Sequence, residues 1–188
     1  VVRGSNIPGF DPKIIPGLTR WAETVHAAGA LLVGQVNHSG RQHNSTSILA
    51  RPIGPSAIAC PRSGGVPRAM SADEIEDFIK HTIMAGKNMA QAGFDGIEVH
   101  CAQGHFLQQF MSPFSNKRTE SWGGTWDNRI RFAREILVGI RASTPADFAR
   151  LETCLDKAES AESLDEFERW DAALHQALAA GTHNPFVG

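Results

Sequence analysis

Two short apolar runs set the fold problem for this chain: residues 30–36 (ALLVGQV) and residues 94–99 (FDGIEV). Each follows a stretch of helical periodicity closed by a glycine, and each opens into a long polar loop. The order is helix, strand, loop, helix, strand, loop, helix. Such alternation implies parallel strands joined by right-handed crossovers. A (β/α)8 barrel and a doubly wound sheet both satisfy it, and periodicity does not choose between them. In either architecture the chemistry gathers where the strands end and the loops begin.

The first helix is expected over residues 14–28, where Leu18, Trp21, Ala22 and Val25 recur at helical spacing before Gly29. The following apolar run reads as a strand buried on both faces. Residues 38–70 are rich in Gly, Pro, Ser and Arg and read as a long loop with a small extra hairpin. Loops of that length are uncommon unless they have a task. Ser71 and Glu74 form a capping-box pattern ahead of Ile75, Phe78, Ile79, Ile83 and Met89, and Gly93 stops that helix. A second polar loop over residues 101–126 leads to a helix at about residues 127–141. After Ala142 the style changes to two amphipathic helices, at about 146–158 and 163–180, with no further strand.

Composition excludes several classes. Net charge is −2 with 41% hydrophobic and 20% charged residues, and the pI is near 6.5. A soluble globular protein is expected, without an electrostatic reason to bind nucleic acid. No apolar run approaches the roughly 20 residues of a membrane span. The first residues lack the basic-then-apolar order of a signal peptide, and the chain is expected to begin inside a longer protein. Cys60, Cys101 and Cys154 are an odd number at wide spacings, which fits reduced thiols in the cytoplasm better than a disulfide framework. There is no tyrosine.

The residues able to carry chemistry lie mainly after the two strands. Gln35 precedes Asn37-His38-Ser39-Gly40-Arg41-Gln42, and a buried Gln amide needs a partner, whether neighbouring backbone or a ligand. His100 ends the second strand and would point into the mouth of a barrel, with Cys101, Gln103 and His105 in the loop beyond. A lone histidine is more often structural; two in a polar loop after a barrel strand shift the balance toward function.

Residues 93–137, GFDGIEVHCAQGHFLQQFMSPFSNKRTESWGGTWDNRIRFAREIL, resemble the fourth-strand region of the old yellow enzymes, a family of NADH:flavin oxidoreductases. GQVNHSGRQ, residues 34–42, is similar to that family's third-strand signature, and IIPGLTRWAETVHAAGA to the helix before it. The resemblance spans residues 7–141 in matching order. It implies a partial (β/α)8 TIM barrel of the FMN-linked oxidoreductase type over residues 1–142. It also implies FMN held noncovalently, NAD(P)H as reductant, and a small-molecule unsaturated carbonyl substrate. By resemblance Gln35 bonds the pyrimidine edge of the flavin, and His100 donates to the substrate carbonyl oxygen. The family's second His or Asn is here Gln103, which donates but carries no charge. The family's proton-donating tyrosine is here His105, a possible general acid near neutral pH. Arg118, Trp122, Gly123, Gly124, Asn128 and Arg129 match the family pattern as scaffold and loop-anchoring residues.

The family's first strands and its phosphate-binding Gly-rich loops have no counterpart in these residues. Phosphate contacts contribute much to holding such a cofactor, and two strands cannot close a barrel. The expectation is therefore weak or absent FMN binding, little activity of this chain alone, and self-association through open strand edges.

Residues 147–188 are similar to part of the FCD domain of GntR-type transcription regulators, with Asp171-x-x-x-His175 as the core of the likeness. The i,i+4 spacing puts Asp171 and His175 on one helix face. The resemblance implies a divalent-metal pair whose remaining ligands this chain lacks; an exposed, solvated Asp–His pair is the plainer reading. The overall expectation is a partial barrel followed by an α-helical hairpin over residues 143–188. Three functions compete: a flavin oxidoreductase, a metal- or metabolite-sensing helical module, and an inactive chimera of the two.

Overall fold

The computed structural model describes residues 7–43 and 51–142. The helices expected beyond Ala142 lie outside the described residues, and with them Asp171, His175 and Cys154. A short 3-10 turn, Pro12–Ile14, capped by Asp11, leads into helix α1, Ile15–Ala27. Gly29 follows at φ +75°, the left-handed turn that ends a helix without a Cβ clash. Strand β1 is Val33–Val36. Strands β2, Ile53–Gly54, and β3, Arg68–Ala69, precede helix α2, Ala72–Gln91. Strand β4, Gly96–Val99, helix α3, Phe106–Met111, and helix α4, Trp126–Arg141, complete the described chain.

β1 and β4 pair in parallel, with Val33 opposite Gly96, Gln35 opposite Glu98 and Val36 opposite Val99. The long α2 supplies the crossover that a parallel pair requires. Its start is the expected capping box: Ser71 Oγ accepts from Glu74 N at 3.2 Å, and Ser71 N donates to the Glu74 carboxylate at 2.9 Å. That carboxylate also takes both terminal nitrogens of Arg68 at 2.7 Å. At the other end of the sheet, the Asp95 carboxylate accepts from Leu32 N at 2.7 Å and meets His26 Nε2 at 2.8 Å, which ties β1 to the end of α1.

The core lies on the helix side of the sheet. Ile75 and Ile79 of α2, Phe106 and Phe110 of α3, and Phe132, Ile136 and Ile140 of α4 close over Val36. Phe110 and Phe132 stack with centroids 4.0 Å apart and planes 22° from parallel. Glycines let α2 and α4 approach closely: a Cβ on Gly86 would lie 2.9 Å from Ile140, and one on Gly139 only 2.1 Å from Ile83.

Three expectations are corrected. β1 is not buried on both faces: Gly34 and Val36 are buried, whereas Val33 is 56% exposed and Gln35 is exposed. Only the helix-facing side of this two-stranded sheet is covered among the described residues. The small extra element within residues 38–70 is not a hairpin, because β2 and β3 run parallel. The segment expected as one long loop over residues 101–126 contains α3, which buries Phe106, Leu107, Gln109 and Phe110.

Candidate functional site

Both post-strand loops converge at the C-terminal ends of β1 and β4. His100 N donates to Val36 O at 3.1 Å, extending the ladder one step past the strand, and Phe106 N donates to His38 O at 2.9 Å. The buried carboxamide of Gln109, 1% exposed, then joins the loops. Its oxygen accepts from Arg41 N at 3.1 Å, and its nitrogen donates to Ser39 O at 3.0 Å and Gly104 O at 2.7 Å. Gly40, at φ +56°, allows this approach: a Cβ there would lie 2.3 Å from the Gln109 oxygen.

On the open face of the sheet, Gln35 Nε2 donates to the Glu98 carboxylate at 2.6 Å. The partner expected from sequence was backbone or ligand; the structure supplies a side chain from the neighbouring strand. A second amide proton and the carbonyl oxygen of Gln35 have no partner among the described residues, so it retains one donor and one acceptor. His100 and His105 come together with ring centroids 4.6 Å apart. His100 Nε2 is buried without a hydrogen-bond partner, an arrangement whose cost a ligand oxygen would remove. His105 Nδ1 lies 2.9 Å from Asn37 Oδ1. Burial first, then the positive fields of His100 and Arg62, hold His105 below the ordinary histidine range. Gln103 is exposed at φ +58°, and its carbonyl accepts from Gln42 Nε2 at 2.9 Å.

Sequence reasoning placed Asn37 and His38 in the post-strand cluster without giving either a role, and it missed Gln109. Asn37 follows Gln35 by two residues, and the period of a strand puts both on one face. His38 accepts from Gly40 N at 3.0 Å and packs 5.0 Å from the Phe106 ring. Burial, followed by the fields of His43 and His105, lowers its pKa to about 4. The anchoring set is found as expected. Arg118 Nη1 donates to Pro55 O at 3.0 Å and Met70 O at 2.7 Å, and Arg129 Nε donates to Met111 O at 2.8 Å. Trp122 is buried, and a Cβ on Gly123 would strike Arg118 O at 2.4 Å. Among the described residues no three His, Cys, Asp or Glu side chains group to hold a metal. No helix there is long and apolar enough to cross a membrane.

The parallel βα units superpose on solved (β/α)8 barrels of the old yellow enzyme type, and the chain forms part of such a barrel. The chain belongs to the NADH:flavin oxidoreductase / NADH oxidase family, whose profile matches residues 5–179. That match crosses Asp171 and His175 and most of the segment expected to resemble an FCD domain. The NADPH dehydrogenase of Clostridium acetobutylicum is 37% identical over 73% of this chain and 40% of its own length. The NADH:fumarate oxidoreductase of Klebsiella pneumoniae is 43% identical over 65% of this chain and 14% of its own. Among solved structures, a 2-naphthoyl-CoA reductase complexed with 2-naphthoyl-CoA superposes with TM-score 0.67 at 34% identity, covering 71% of this chain and 22% of that one. The old yellow enzyme homologue from Zymomonas mobilis gives TM-score 0.63 at 30% identity, covering 69% and 39%. The chain thus spans less than half the length of these relatives.

Proposed function

We propose that the chain contributes one side of the active site of an FMN-dependent NAD(P)H oxidoreductase acting on an activated alkene such as an α,β-unsaturated carbonyl compound. The observation that carries this reading is the unpartnered, buried Nε2 of His100 beside the open sheet face that presents Gln35. FMN, when bound, supplies the hydride that reaches the β-carbon of the alkene. Gln35 offers a donor and an acceptor side by side, the pattern a pyrimidine edge requires, while Glu98 fixes its orientation. His100 donates to the substrate oxygen as negative charge grows there. Gln103 lies in the loop between the two histidines and supplies a neutral donor. His105, beside His100, serves as the general acid that protonates the α-carbon.

The phosphate end of the cofactor finds no such fit among the described residues. The test supplies excess FMN, NADH or NADPH, and 2-cyclohexenone. Product above the protein-free rate, falling about tenfold or more in His100→Leu, supports the reading. A rate equal to that of free flavin, with no perturbation of FMN absorption by excess protein, removes it.

A further inference from the structure

Asn37 continues the strand line that carries Gln35 onto the open face, and its carboxamide oxygen faces Nδ1 of His105 at 2.9 Å. A carbonyl oxygen only accepts, so the ring nitrogen opposite it is the one that bears hydrogen. We infer that Asn37 is a positioning residue that fixes His105 as the Nδ1–H tautomer, leaving Nε2 to take up and give back the proton. The tautomer is a property of this chain alone; its use in alkene reduction rests on the function proposed above.

The titratable groups acting on His105 are His100, 4.6 Å away between ring centroids, and Arg62 from the loop before β3; His105 in turn acts on His38 beyond β1. Each is neutral or positive. Together with burial they keep the imidazole neutral near neutral pH, the state in which the choice of tautomer matters. A neutral amide is suited to the task, because a carboxylate at position 37 would hold the ring charged. In the transfer itself, the Nε2–H bond of the imidazolium breaks. The electron pair of the enolate-like substrate forms the new C–H bond at its α-carbon and neutral Nδ1–H imidazole remains; one proton per turnover, taken by the bare Nε2 from bulk solvent, regenerates the imidazolium before the next transfer.

The test is long-range nitrogen–proton NMR on the isotope-labelled chain without flavin, with the His105 signals assigned by their loss in His105→Gln. The expected result is a protonated Nδ1 and a bare Nε2 in the neutral form. Asn37→Leu should move the ring toward the Nε2–H tautomer. Asn37→Asp should keep Nδ1–H and raise the His105 titration midpoint by about one pH unit or more. Nε2–H in the wild type, or a tautomer unchanged by Asn37→Leu, overturns the inference. If Asn37→Leu loses the folded amide spectrum, Asn37→Asp decides alone, and an unmoved midpoint overturns it. A chain that fails to bind FMN would sink the proposed function and leave these spectra standing; the wrong tautomer would do the reverse.

Discussion

The Gln109 side chain accepts the backbone N–H of Arg41 at 3.1 Å, and this contact binds the loop after β1 to the helix that follows β4. The same carboxamide takes the carbonyls of Ser39 and Gly104. Gln109→Leu leaves these buried groups without that partner and should cost about 3 kcal/mol, read from the urea midpoint. Gln109→Glu should cost at least as much, since a buried carboxylate would face the carbonyls of Ser39 and Gly104 with no hydrogen to donate. Equal stability of Gln109→Leu and wild type would show that the loops are held elsewhere.

Gly40 sits against that side chain. Gly40→Ala adds a Cβ at 2.3 Å from the Gln109 oxygen and 2.6 Å from the Phe106 ring, at φ +56°. Strain and overpacking together should cost about 2 to 4 kcal/mol. The thermal midpoint checks this, and Gly17→Ala, where the new Cβ meets nothing within 4 Å, is the control.

His38 should make stability depend on pH in a defined window. Its folded pKa, about 4, lies below the ordinary 6.5, so the unfolded chain binds a proton that the folded chain refuses. The stability is intact above pH 6.5 and is lost as pH falls from about 6.5 to about 4, by roughly 3 kcal/mol at most. His38→Gln should flatten that part of the urea-midpoint profile relative to wild type. Parallel profiles would contradict the assignment.

Gln103 holds a left-handed conformation that a side chain resists, at a cost of about 1 kcal/mol. Gln103→Gly should therefore raise stability by about 0.5 to 1 kcal/mol in urea, while removing a donor from the proposed site. A destabilised glycine variant would mean that the carboxamide makes contacts worth more than the strain.

The fold was legible wherever local rules decide. Ser71 and Glu74 marked the start of α2, and Gly29 and Gly93 marked helix stops; both glycines adopt positive φ. The alternation of helix and strand identified parallel pairing before any register was known. What escaped depends on long-range contacts. α3 has six residues, too few for periodicity to stand out from its polar flanks. Gln109 reads as one more polar residue until the loop some seventy positions earlier folds onto it. The exposure of Gln35 depends on what covers the sheet, a matter its own strand does not encode. His100 and His105 were visible as a pair in sequence, whereas the Asn37 partner of His105 is 68 residues away.

The proposed flavin site stands most directly on the binding of FMN itself, followed by absorption during titration with excess protein. The account predicts a saturable perturbation of the flavin bands, weakened by Gln35→Leu. Flavin bands that excess protein leaves unperturbed, or a perturbation that Gln35→Leu leaves unchanged, would contradict it.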